Sequence, residues 1–323
     1  MAGDWSDLPS HLLELIAFRL PIADPIDFRE TCPYWGSVAV QLLGSFQPRI
    51  GIPWLMITDQ TRPDLCGFFM PQRQSFYEFP LPEVRAKRCL SSRGWIMTIG
   101  RDGDVEMFNP ISRERHPAKL SGFKDWGGEK GPITNTRICT CVLSACPFSP
   151  AKFEIMVLCD ANRRLGTWNY RNQAWTVVSP YRIYMDLIYH KGSFLAMDAG
   201  GMIRAFDVRQ DGLNPDTDGR VVARRPPGLV DLEHFKKHYL VECRRSLLVV
   251  SQEWQQGSRF VTSRFRAFLL DLEANTWTKV DSLGNASLFL GLDSSFSVEV
   301  SDQHRGIEPD CIYFADDRMC KHA

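Results

Sequence analysis

The run Leu8-Pro9-Ser10-His11-Leu12-Leu13-Glu14-Leu15-Ile16-Ala17-Phe18-Arg19-Leu20-Pro21 decides how this 323-residue chain is read. Leu8, Leu12, Ile16 and Leu20 recur every four residues with Leu13 and Leu15 beside them, so a helix here carries a broad apolar stripe. Ser6 and Asp7 offer side-chain oxygens to the unbonded N–H groups of its start, and Pro9 fits its first turn. Pro21 disfavours helical backbone at the residue before it, so the helix should end near Leu20. Asp24 and Pro25 then open a second short helix carrying Ile26 and Phe28. Pro33 breaks that one, and Tyr34 to Leu43 read as a third. Three short helices make a very small core, marginal by size alone unless something covers it.

The residues Leu8-Pro9, Leu12-Leu13, Ile16, Leu20-Pro21, Ile26-Asp27-Phe28-Arg29, Cys32 and Trp35 resemble an F-box in order and spacing. Gly36 stands where a basic residue commonly follows the Trp. The resemblance runs from Asp4 to Leu43. It implies docking to a Skp-type adaptor and, through it, to a cullin. The implied adaptor-binding residues are Leu8, Pro9, Leu12, Leu13, Ile16, Leu20, Pro21, Ile26 and Trp35. An apolar helical stripe with too little to cover it agrees, because such a stripe expects a partner groove. The plainer alternative is that the helices pack on the domain behind them.

The length favours two domains, with a boundary after residue 46. Lys and Arg number 38 and Asp and Glu also 38, so bulk charge does not point to nucleic acid. The N-terminus lacks a basic region followed by an apolar run, and no window approaches ~20 uninterrupted apolar residues. Neither a signal peptide nor a membrane span is expected. The 10 cysteines are scattered, which favours reduced thiols. Cys139, Cys141 and Cys146 form the one cluster, and it lacks a fourth ligand nearby, so buried thiols are expected in place of zinc. On this reading the sequon Asn285-Ala286-Ser287 never meets the secretory route. These features together predict an intracellular protein, in cytoplasm, nucleus or both.

From Gln47 onward prolines crowd in at 48, 53, 63, 71, 80 and 82, and helical periodicity gives way to short apolar runs split by turn residues. That is the signature of an all-β domain. Expected strands include Gly94 to Ile99, Val105 to Phe108, Phe153 to Cys159, Leu165 to Asn169 and Trp175 to Val178. Leu187 to His190, Ser193 to Met197 and Met202 to Val208 follow the same scheme. The stretch Trp168 to Thr176 lies over Leu270 to Thr278, each placing a polar turn before a Trp-Thr pair. His190-Lys-Gly-Ser193, Cys243-Arg-Arg-Ser246 and Leu292-Asp-Ser-Ser295 share a second frame. Anchors at Gly94, Lys152, Ser193, Ser246 and Ser295 recur at about 50 residues, the kelch-like range for a four-stranded propeller blade. An earlier unit through Trp54, Phe68 and Phe76 would bring the total to about six.

The Phe76-Tyr77-Glu78 element, the Gly94-Trp95 strand and the closing Cys311-Ile312-Tyr313-Phe314-Ala315-Asp316-Asp317 are similar to the plant F-box family with a KIB-type β-propeller. Members usually continue past that last element, whereas Ala323 ends this chain. The last blade is therefore expected to lack strands unless Ile52 to Ile57 complete it.

No P-loop, G-x-S-x-G elbow, H-E-x-x-H or dinucleotide fingerprint is present. His234 and His238 could share a helix face, but a surface pair is the simpler reading. Asp102-Gly103-Asp104 reads as a hairpin turn, and Arg224-Arg225 and Lys236-Lys237 as solvated loops. Tryptophans 95, 168, 175, 254 and 277 suit blade packing better than a carbohydrate platform. No cofactor or metal is expected. The resulting reading is a non-catalytic substrate receptor of a Skp–cullin–F-box ubiquitin ligase. It comprises a three-helix F-box (1–46) and a propeller (47–323) that binds a target protein, with no nucleic acid or membrane partner. A non-degradative scaffold and a propeller enzyme with an adaptor-binding tail are the alternatives.

Overall fold

The structure, a computed structural model, describes residues 8–17, 32–38, 54–58, 61–62, 64–71, 74–100, 104–110, 113–116, 138–147, 153–159, 163–169, 173–179, 182–207, 218–227, 236–255, 261–291, 293–302, 304 and 306–314. Near the N-terminus these include helix α1 (Ser10–Ala17) and a helical stretch over residues 33–38. The expected second helix lies outside the described residues, as do Leu20, Pro21 and Ile26. A three-helix unit is thus not on view.

The rest is sheet. β1 (Leu55–Thr58), β2 (Leu65–Met70) and β3 (Ser75–Pro80) form the first sheet, and β4 (Arg88–Ser92), β5 (Trp95–Ile99) and β6 (Val105–Phe108) the second. Four-stranded antiparallel sheets follow. The third holds β7 (Ile138–Leu143), β8 (Ile155–Cys159), β9 (Arg164–Asn169) and β10 (Ala174–Ser179). The fourth holds β11 (Tyr184–His190), β12 (Ser193–Asp198), β13 (Ile203–Asp207) and β14 (Arg220–Ala223). The fifth holds β15 (Lys236–Cys243), β16 (Ser246–Trp254), β17 (Thr262–Asp271) and β18 (Thr276–Val280). The sixth holds β19 (Ala286–Leu290), β20 (Ser295–Glu299) and β21 (Ile312–Phe314). Meander sheets ranged side by side make this a β-propeller.

Each sheet gives alternate residues to the neighbours on its two sides. Phe68, Leu81 and Val84 pack on Ile96 and Phe108. Trp95 and Met97, on the other face of the second sheet, meet Val157 and Trp168 of the third. Leu158 and Leu165 meet Tyr184, Phe194 and Phe206, and Met197 and Ile203 meet Leu240 and Leu270. Val241 and Val250 close on Ala286 and Leu288. Being covered on both faces, β5 is buried at every position, so its sequence is a continuous apolar run with no alternation. Each such side chain contributes about 1.5–3 kcal/mol by leaving water.

The strands β4, β7, β11, β15 and β20 lie next to one another in turn and line the centre. Four of these are the first strand of their sheet, but β20 is the second strand of the sixth. That sheet has the order β20-β19-β21, and β21 joins β19 in parallel, Leu288 opposite Ile312. Phe265 of β17 packs on Phe314 of β21, ring centroids 5.0 Å apart. The last sheet has three strands and is not completed by β1, which pairs with β2 alone among the described strands. Instead the backbone N–H of Ser91 in β4 donates to Asp293 Oδ2 at 2.9 Å, tying the sixth sheet to the second.

Two readings of the sequence change. Residues 236–243 are strand β15, not helix or loop, so His238 is neither on a helix face nor at the surface but buried. Lys236 and Lys237 open that strand and are not loop residues. His234 lies outside the described residues. The cysteine run takes its arrangement from a bulge in β7 between Ile138 and Thr140. The extra residue turns Cys141 toward the second sheet and Cys139 toward the fourth, so the two thiols face opposite ways.

Candidate functional site

The N–H groups of Leu12 and Leu13 both reach the carbonyl of Pro9, at 2.9 and 3.2 Å, which sets the first turn of α1. The helix then sorts its apolar residues into two faces. Leu13 is 0% exposed, while Leu12 is 38% and Leu15 55% exposed. Leu8 and Ile16 are half-buried and Pro9 is exposed. At 100° per residue, Leu12 and Leu15 share one side with Ile16 at its margin, and Leu13 points inward. The sequence stripe is therefore two surfaces, one holding α1 in place and one left to solvent.

At residues 33–38, Cys32 caps the helical turn. Its carbonyl accepts from Gly36 at 2.9 Å and its Sγ from the Trp35 N–H at 3.5 Å. Trp35 is half-buried and Tyr34 exposed, while Val38 turns inward.

A second constellation sits at one mouth of the channel, where hairpin turns of neighbouring sheets meet. Arg93 of the β4–β5 turn donates through Nε to the Leu143 carbonyl at 2.9 Å, and its guanidinium stands 5.6 Å from the Tyr189 ring centroid. His190 Nδ1 lies 3.3 Å from Glu242 Oε2 of the fifth sheet. That imidazole, with Arg93 and Lys191 farther off, holds the Glu242 carboxyl below the usual carboxylate range, against the opposing effect of burial. Ser297 Oγ donates to the Glu242 carbonyl at 2.7 Å. Five sheets thus contribute polar groups to one small region.

Two carboxylates hold the inner strands. Asp186 accepts from the N–H of Leu187 at 2.9 Å and, across the sheet boundary, from Leu240 at 2.7 Å. Burial pushes its carboxyl up to about 6, with those two N–H groups, Arg163 and Lys237 resisting. Asp293 is likewise raised by burial, opposed first by its bond from Ser91. Sequence reading passed over both, as it did His190 and Glu242 as a pair. The available signal was a charged residue inside an apolar strand run, as in Tyr184-Met-Asp-Leu-Ile188. Among the described residues no group of three or more His, Cys, Asp or Glu side chains is placed to hold a metal ion, and no helix is long and apolar enough to cross a membrane. Trp95 and Trp168 are buried in blade packing.

The family model described as the KIB1-4 beta-propeller matches residues 68–322. The chain belongs to this family. Relatives are found in Arabidopsis thaliana. F-box protein KIB4 is 22% identical, with the match covering 96% of this chain and 82% of that protein. F-box protein At2g17036 is 24% identical over 96% of this chain and 81% of its own length. F-box protein At4g00893 is 27% identical over 64% of this chain, and the match spans about half, 52%, of that protein. The resemblance to plant F-box proteins with a KIB-type propeller therefore holds across nearly the whole chain. Among solved structures, the N-terminal domain of Nup159 superposes with a TM-score of 0.38 at 8% identity, over 69% of this chain and 59% of that one.

Proposed function

We propose that this KIB-type protein is the substrate-receiving subunit of a Skp–cullin–F-box ubiquitin ligase. Residues 1–46 would form a three-helix F-box that docks the adaptor, and 47–323 a kelch-like propeller of about six blades, the last incomplete, that holds a target protein. One observation carries the reading: a helix with Leu12 and Leu15 open to solvent precedes a propeller, in a chain whose relatives are named F-box proteins over nearly its full length. Leu8, Pro9, Leu12, Ile16 and Trp35 would make or frame the adaptor contact, with Leu13 supporting them from inside. Leu20, Pro21 and Ile26 would extend that surface, and the cullin would follow through the adaptor. Its compartment would be the cytoplasm, the nucleus or both.

The chain would do no bond chemistry itself. Holding a target near a loaded conjugating enzyme raises effective concentration. The bonding of Asp186 and Asp293 to backbone N–H groups supports a binding role, since both carboxylates are already engaged in joining strands.

The test is the double substitution Leu8→Ala with Leu12→Ala in the full chain. Losing two Leu-sized contacts, each worth ~1.5–3 kcal/mol, should weaken adaptor binding by more than tenfold. Adaptor capture at the wild-type level by a variant with an unchanged unfolding curve would refute the docking assignment.

A further inference from the structure

Beside the channel mouth a pocket of 280 Å³ opens between the fourth and fifth sheets, lined by His190, Lys191, Ser193, Arg220, Val221 and Leu272 among others. Its polar wall is built from donors. Lys191 is exposed at the β11–β12 turn, acting on the Glu242 carboxylate only from a distance. Arg220 is held only loosely, Nη2 standing 3.6 Å from Asp207 Oδ1, an oxygen that already accepts the Ser193 hydroxyl at 2.7 Å. A guanidinium has five N–H donors, so most of Arg220's remain available. His190 is 2% exposed, and both its ring nitrogens are buried without a hydrogen-bond partner, Nδ1 lying 3.3 Å from Glu242 Oε2. A polar atom left so is costly unless something comes to meet it.

Val221 and Leu272 add apolar surface to the lining. Two acids border the site and both are occupied: Asp207 by Ser193 and Arg220, Glu242 by His190. Asp271, next to Leu272, accepts the N–H groups of Glu273 and Ala274 in its own turn, both at 2.9 Å. A flexible ammonium, a guanidinium fork and a buried imidazole whose nitrogens make no hydrogen bond suit an anion carried on a short apolar stem.

We propose that this pocket receives an anionic side chain of the target, either a phosphate or a carboxylate, with an apolar neighbour lying against Val221 and Leu272. The receptor reading above is assumed here, and the pocket would be where the target is told apart from other proteins. Imidazole Nε2 would bond the incoming anion, Lys191 would supply point charge, and Arg220 would fix orientation.

The probe is a set of otherwise degenerate peptides with a fixed central phosphoserine, glutamate or alanine, titrated against the full chain with and without the adaptor. The phosphoserine or the glutamate set should bind at least tenfold tighter than the alanine set, and whichever leads identifies the source of the charge. Lys191→Gln with Arg220→Gln should erase that preference, whereas Arg85→Gln, an exposed cation remote from the pocket, should leave it intact. Both altered residues are surface-exposed, and unchanged thermal unfolding would establish that the fold persists. Equal binding of all three sets, or a preference that survives the double substitution, would overturn the proposal. Adaptor binding measured on the same samples separates the two readings: its absence defeats the receptor role alone, and peptide indifference with adaptor bound defeats the pocket alone.

Discussion

The carboxylate of Asp186 has one oxygen on its own strand's N–H and the other on Leu240 of the next sheet, and burial raises its pKa to about 6. Above pH 6 the group is ionised whether the chain is folded or unfolded, so the full cost of burying charge is present. Between about pH 6 and 4 the folded form takes up a proton that the unfolded chain does not bind, and stability from this residue rises as pH falls. Below about pH 4 both forms are protonated and the change stops. Asp186→Asn should therefore show its highest stability relative to wild type above pH 6, declining steadily toward pH 4. Urea unfolding across pH 4–7 measures this directly, and a difference that does not vary with pH would show that the carboxyl is not perturbed.

Three hairpins of the propeller are built alike: Arg93-Gly94, Lys191-Gly192 and Arg244-Arg245 each have positive φ at both central positions. This is the twist-matching two-residue turn, which favours Asn or Gly because a Cβ is strained there. The fifth sheet breaks the pattern, with Arg245 at φ 63° where its counterparts have glycine. Arg245→Gly should relieve that strain at a smaller entropic cost, raising stability by roughly 0.5–1 kcal/mol. A melting temperature unchanged or lowered would place the strain elsewhere. These turns were legible in the sequence as the His190-to-Ser193 and Cys243-to-Ser246 frames, because a two-residue hairpin imposes local chemistry. Likewise, Trp168 to Thr176 and Leu270 to Thr278 prove to be the same hairpin, with Asn169 opposite Ala174 and Asp271 opposite Thr276. Inner strands were harder to see. β4 and β15 carry Arg88, Ser91, Lys236 and His238 among their apolar residues, since one edge of each faces the channel, and this blurs the hydrophobic run.

At the scale of the whole ring, the sixth sheet departs most from the repeat. Its β21 has three residues, is half-buried or exposed, and among the described residues pairs on one edge, whereas β5 is buried and paired on both. Amide hydrogens of Ile312 to Phe314 should exchange at least ~100-fold faster than those of Trp95 to Ile99, because fewer buried contacts must open to release them. Equal rates would mean that the last sheet is as firmly closed as the second. Spacing of about 50 residues was readable in the sequence because packing demands the same strand lengths repeatedly. The strand order β20-β19-β21 was not, since it depends on contacts between distant segments and has no local mark. The clasp from Ser91 to Asp293 spans 202 residues. On a ribosome adding roughly 5–20 residues each second, Ser91 would emerge ~10–40 s before its partner is made. Throughout that interval the growing polypeptide is an arc whose two ends have not met, and its unclasped inner edge is offered to whatever waits at the exit tunnel.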